Sequence, residues 1–215
     1  MTQAVLFDLD GTLLDTSDDL GAALNHVLTE HGLPTLSKSE YSPAISNGVK
    51  ALLEVGFKDK LINYDLATLR QQVLDYYESN IAIHSHCFDG IDNMLQSLHD
   101  KGIAVGIVTN KPEFLTFPLL QQITTLKNIE VVVCGDTLDV AKPHPAPLLL
   151  AAEKLGVSAL QTLYVGDAER DIQAAKAAQM RSVAALWGFI PSLDEALSWQ
   201  AEVNANRPID LISHI

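Results

Sequence analysis

Four aspartates fall in two short clusters near opposite ends of the 215-residue chain. In Asp8-Leu9-Asp10-Gly11-Thr12 two carboxylates lie two residues apart, and Gly11 permits a sharp backbone turn after them. Carboxylates this close repel each other unless a cation or a proton lies between them. In Gly166-Asp167-Ala168-Glu169-Arg170-Asp171 the acids Asp167 and Asp171 share one face if a helix begins there. Thr109-Asn110 adds a hydroxyl and backbone N–H groups, and Lys142 adds a cation on the stiff segment Lys142-Pro143-His144-Pro145. Hard oxygen donors suit Mg²⁺, which keeps waters and shares its coordination with phosphate. Each cluster alone has an ordinary explanation: an Asp-Gly turn, a helix cap, a solvated loop lysine, acids at a helix start. Their joint placement points to phosphoryl chemistry.

The elements that would position these residues alternate between short apolar runs and helical patterns, which predicts a parallel α/β sheet. Candidate strands are Ala4–Phe7, Ile103–Val108, Ile129–Val133, Thr162–Val165 and Arg181–Ala185. They are rich in Val, Ile and Leu, as strands covered on both faces are. Asp8, Thr109, Gly135 and Gly166 follow or close them, and ligands in open α/β sheets bind beyond the carboxyl ends of strands. Residues 16–83 carry only helical signals, including capping-box spacing at Ser37-Lys38-Ser39-Glu40, with Pro43 limiting that helix. Leu66, Leu69, Val73, Tyr76 or Tyr77, and Ile81 recur at helical steps. The expected organisation is a core from residues 1–15 and 84–215 with a helical domain, 16–83, inserted into it. Further helices are expected before Gly102, between Pro147 and Gly156, and after Asp171.

With 27 acidic and 14 basic residues the formal net charge is −13. Such a balance argues against nucleic-acid binding and against electrostatic docking on an anionic membrane. At 47% hydrophobic and 19% charged, the chain can bury a core. Cys87 and Cys134 form no CxxC pattern, so a reduced, cytoplasmic setting is expected. Met1-Thr2-Gln3 runs straight into the first strand without a secretory pattern, and no apolar run approaches bilayer length.

The ordered set DxDGT, TN, KP and GDxxxD resembles the haloacid dehalogenase superfamily, specifically its phosphatases with a helical cap inserted after the first motif. The resemblance implies a doubly wound parallel core, an inserted α-helical cap and dependence on Mg²⁺. It makes Asp8 the nucleophile that becomes an aspartyl phosphate, and Asp10 the acid and base for the leaving oxygen and the water. It assigns Mg²⁺ to Asp8, the Asp10 carbonyl and Asp167, with Asp171 acting through water. Thr109, the N–H of Asn110 and the amides near Asp10, those of Leu9 and Gly11, would bind phosphate oxygens. Lys142 would neutralise charge on Asp8 and the transferring group.

Asp10 favours ester hydrolysis over dehalogenation within this superfamily, and a phosphomutase uses the same acid pair. The Asp8–Thr16, Val108–Pro112 and Gly166–Ile172 stretches look like phosphoglycolate phosphatases. His84–Gly90 and Leu186–Ile190 resemble a sister group acting on N-acetylmuramic acid 6-phosphate, and Asp89 stands where many of the first group carry proline. The expected partner is a small phosphorylated metabolite, 2-phosphoglycolate first, handled by a monomer or homodimer. In the cap, Ser46, Asn47 and Gly48 precede a helical run and could meet a small anion or simply start a helix. His84, His86 and Cys87 have poor zinc spacing. A phosphorylatable signalling module is the alternative of a different class; such modules are shorter and place their phosphorylated aspartate away from the first acid cluster.

Overall fold

The computed structural model describes residues 1–215. The chain opens with β1 (Ala4–Phe7), turns at Asp8–Gly11 and makes a two-residue strand, β2 (Leu14–Asp15). Four helices follow: α1 (Ser17–Glu30), α2 (Lys38–Ile45), α3 (Gly48–Phe57) and α4 (Leu66–Ser79). Then come β3 (His86–Cys87), α5 (Ile91–Asp100), β4 (Ala104–Val108), α6 (Glu113–Gln122), β5 (Val131–Val133) and α7 (Ala146–Lys154). The chain closes with β6 (Thr162–Gly166), α8 (Glu169–Ala177), β7 (Arg181–Ala185), α9 (Leu193–Ser198) and β8 (Val203–Ala205).

Six strands form one parallel sheet in the order β5-β4-β1-β6-β7-β8. With Ala-Val-Leu-Phe and no polar side chain, β1 suits the centre, and all four residues are buried. Its alternation covers both faces. Val5 and Phe7 pack with Ile91, Met94 and Leu98 of α5, whereas Leu6 packs with α7 and α8 through Leu148, Ala151, Ala174 and Ala175. Because β4 and β6 flank β1, Thr109, Asp8 and Asp167 emerge side by side at one edge of the sheet.

The helices α1–α4 bury a separate apolar cluster, including Leu24 and Val27 of α1, Leu52 and Leu53 of α3, and Val73 and Tyr77 of α4. From the other side only Leu115 and Phe189 join it among buried residues. The two chain passages to this layer are tied together. Leu14 and Asp15 pair with Cys87 and His86 in a short antiparallel ladder, and the Asp19 carboxylate accepts from the N–H groups of His84 and Ser85, each at 2.9 Å. Asp19, in the first turn of α1, thus ties the start of that helix to the returning passage. The capping box at Ser37 forms, its N–H donating to Glu40 at 2.8 Å, and the helix ends two residues beyond Pro43.

Candidate active site

Asp8 closes β1 and is buried, its Oδ1 accepting from the Leu9 N–H at 2.8 Å. The chain then turns so tightly that Gly11 takes φ +81°, and a Cβ there would collide with the Asp167 carboxylate. Glycine is the residue that permits both. Gly11 donates its N–H to Leu14 O at 2.9 Å, and the Leu9 side chain is in the core. Asp10 lies at the wall of a cavity, where it accepts from the Thr16 hydroxyl at 2.8 Å and from Lys111 Nζ at 3.1 and 3.2 Å.

Asp167 and Asp171 flank the turn from β6 into α8. The helix starts at Glu169, so Asp167 precedes it and Asp171 sits in its first turn, accepting from the Ala168 N–H at 3.0 Å. One carboxylate oxygen from each of Asp8, Asp167 and Asp171 lies within 4.8 Å of the others. Lys142 is inserted between two of them: its Nζ is 3.0 Å from Asp8, 2.8 Å from Asp171, 3.0 Å from Val108 O and 2.7 Å from the Tyr164 hydroxyl. Asn110 sets this lysine's backbone by two reciprocal bonds, Nδ2 to Lys142 O at 2.9 Å and Lys142 N to Oδ1 at 3.0 Å.

Asp167 is the least compensated of the three acids. It accepts from the Thr12 hydroxyl at 3.1 Å, the Ser46 hydroxyl at 2.6 Å and the Phe189 N–H at 3.0 Å, with no cation in contact. Burial first, then the charges of Asp8 and Asp171, push its carboxyl up to about 7. A buried, all-oxygen set with excess negative charge is the donor chemistry that a hard divalent cation satisfies, so these residues fit a metal.

A cavity of about 170 Å³ lies between this strand edge and the helical layer. Asp8, Asp10, Thr109, Asn110, Lys111 and Arg170 line its sheet side. Thr109 is buried, and its hydroxyl accepts from the Lys111 N–H at 3.2 Å. Ser46, Gly48, Arg70 and Tyr77 line the helical side together with apolar residues such as Leu20, Val49 and Leu52. Of the three cap candidates, Ser46 reaches Asp167, Asn47 Oδ1 lies 3.5 Å from Arg170 Nη1, and Gly48 begins α3 beside the cavity.

Three groups at the site escaped the sequence reading. Lys111 is buried, with Asp10 on one side and the Tyr77 hydroxyl of α4 at 3.0 Å on the other. Burial alone would lower its affinity for a proton, but Asp10 and Tyr77 more than reverse this, so it stays charged. Arg170 lies 3.9 Å from Asp8, and its buried Nε has no partner. Tyr77 counted only as one of an apolar stripe. The signal for the two cations was their position, one directly after Thr109-Asn110 and one inside the second acid cluster. The histidines at 84 and 86 take another course: His86 Nδ1 is 2.9 Å from His84 O, and neither belongs to the acid cluster.

Residues 5–185 match the family model described as haloacid dehalogenase-like hydrolase. A phosphoglycolate phosphatase of Xanthomonas campestris pv. campestris strain 8004 is 47% identical over 212 residues, covering 97% of this chain and 94% of the relative. An N-acetylmuramic acid 6-phosphate phosphatase of Pseudomonas aeruginosa is 36% identical, covering 98% and 93%. Among solved structures, a predicted phosphoglycolate phosphatase from Haemophilus somnus superimposes with a TM-score of 0.87 at 25% identity, covering 99% of this chain and 97% of that one. With its acid pair after the first strand, its lysine between acids and a family match spanning most of its length, the chain belongs to the haloacid dehalogenase-like hydrolases.

Proposed function

We propose that the protein is a Mg²⁺-dependent phosphatase that hydrolyses a small phosphate monoester, 2-phosphoglycolate first, through an aspartyl phosphate on Asp8. The observation that carries this is the pairing of two buried lysines with two acids at one strand end: Lys142 with Asp8 at 3.0 Å and Lys111 with Asp10 at 3.1 Å. An Asp8 oxygen attacks phosphorus as the bond to the ester oxygen breaks, and Asp10 gives that oxygen its proton. Asp10 then takes a proton from the water that attacks the aspartyl phosphate, releasing inorganic phosphate and restoring Asp8. Thr109 and the Asn110 N–H orient the phosphoryl oxygens, while Lys142 balances charge on Asp8. Asp8, the Asp10 carbonyl, Asp167 and, through water, Asp171 would hold Mg²⁺. When bound, that ion supplies positive charge against the phosphoryl oxygens.

Residues 16–83 act in this reading as a mobile cap over a core of 1–15 and 84–215, closing to exclude water and opening to release product. The substrate named for the Xanthomonas relative supports 2-phosphoglycolate, and a cytoplasmic setting is part of the same reading. N-acetylmuramic acid 6-phosphate is the second reading. It is favoured by Arg70, which faces the cavity and takes part in no ion pair of the protein. Asp8→Asn tests the reaction itself: turnover of 2-phosphoglycolate with Mg²⁺ should fall at least about 10³-fold with the fold retained. Near-normal turnover in that variant would overturn the proposal.

A further inference from the structure

Two lysines reach the acids at the strand edge, but only one can meet a ligand. Lys142 is fully enclosed, with Asp8, Asp171, Val108 O and the Tyr164 hydroxyl around its Nζ. Lys111 lines the cavity. An ammonium has three N–H donors, and the partners of Lys111 are a single carboxylate, Asp10, and a single hydroxyl, Tyr77. The two Asp10 oxygens are nearly equidistant, at 3.1 and 3.2 Å, and can share one N–H. The Tyr77 ring lies 4.4 Å from Nζ and restrains it further. One donor is left for an acceptor that enters the cavity.

We propose that Lys111 is the residue that recognises the carboxylate of the substrate, selecting phosphate esters whose acidic group is one methylene away from the ester oxygen. The assignment rests on the reading that 2-phosphoglycolate is hydrolysed here. To protonate the leaving oxygen, Asp10 must come within hydrogen-bond reach of it. Lys111 lies against that same carboxyl, so an acidic group joined to the ester oxygen through one methylene falls beside Nζ. Tyr77 comes from α4, which makes the recognition site complete only when the helical layer covers the core. Of the other cations lining the cavity, Arg170 is turned toward Asp8 at 3.9 Å, whereas Arg70, across on the helical side, forms no ion pair but lies two helical turns from Tyr77, about 10 Å along the axis. It is placed for an acidic group far from the ester, whereas Lys111 is placed for a near one.

The test uses the full chain with saturating Mg²⁺ and two esters of similar size, 2-phosphoglycolate and 2-hydroxyethyl phosphate. The ratio of their kcat/KM values is measured in the wild type, K111M, K111Q and R70M. K111Q keeps a polar group between Asp10 and Tyr77, which guards against loss of the fold. Both Lys111 variants should lose the preference for 2-phosphoglycolate by about 30-fold or more, mainly through KM. Equal losses on both esters would show that Lys111 only positions Asp10 and would overturn the assignment. Retention of the preference in the Lys111 variants, or its loss in R70M instead, would overturn it as well. A wild-type ratio near one would overturn the substrate reading itself, and the role of Lys111 with it.

Discussion

On the sheet side of the cavity nearly every charged group meets an opposite one: Lys142 lies between Asp8 and Asp171, Lys111 against Asp10, and Arg170 toward Asp8. On the helical side Arg70 faces the cavity without a counter-ion, and the wall around it is apolar, with Leu20, Val49 and Leu52. The first surface is preorganised and needs little movement to stabilise charge that develops in a reaction. The second excludes water and leaves its polar contacts to be completed by whatever enters. The charged machinery thus lies on one separately packed part of the chain and the water-excluding wall on another, and the two meet through a few contacts such as Ser46 to Asp167 and Lys111 to Tyr77, the second of which joins a sheet-side cation to the helical side.

The division can be broken most severely from the sheet side. Lys142→Met leaves Asp8 and Asp171 buried without their shared cation. Removal of one partner from a buried pair costs about 3–5 kcal/mol. The variant should therefore unfold at a clearly lower temperature and lose at least about 10³-fold in kcat/KM, read by calorimetry and steady-state kinetics. A loss confined to KM would mean that Lys142 belongs to selectivity after all.

A smaller effect follows from Asp167, whose carboxyl is raised from 3.8 to about 7 by burial and by its acidic neighbours. A raised acid holds its proton in the folded chain after the unfolded chain has released it. Stability of the metal-free protein should therefore be greatest near pH 4 as far as this group is concerned, fall as pH rises toward 7, and level off above. Unfolding midpoints in chelator across pH 5–8 give the trend, and Mg²⁺ should flatten it. A metal-free profile that rises over this window in wild type and in Asp167→Asn alike would contradict the uncompensated charge assigned to Asp167.

The smallest change is at the junction. Ser46→Ala removes the hydroxyl that α2 and α3 offer to Asp167, a bond of about 1 kcal/mol. KM should shift by a few-fold with kcat for p-nitrophenyl phosphate little altered. A kcat loss as large as that of Lys142→Met would erase the distinction between the two sides.

Much of the sheet side was legible in the sequence because strand ends are marked by chemistry as well as by pattern. Ala4–Phe7 and Arg181–Ala185 run over the residues expected, and the acids, Thr109 and Lys142 lie at one edge because parallel strands share a direction. β8 was missed because three residues with the exposed Asn204 in the middle carry too short a pattern, and β2 and β3 are two residues each. Lys111 was missed for a different reason. A lysine next to proline reads as a solvated loop residue, and only the approach of Tyr77 from α4 buries it against Asp10. The helical wall carries periodicity but no motif, so its burial was legible and its contacts were not.

Formation of an aspartyl phosphate on Asp8 is the central claim, and Asp10→Asn with p-nitrophenyl phosphate tests it most directly. That leaving group departs without an acid, whereas breakdown of the intermediate still needs the base. The account predicts a burst of p-nitrophenolate equal to the enzyme concentration, then slow turnover, with a phosphoryl group on the peptide containing Asp8 after acid quench. Slow release without a burst, or a phosphoryl group on any other residue, would contradict it.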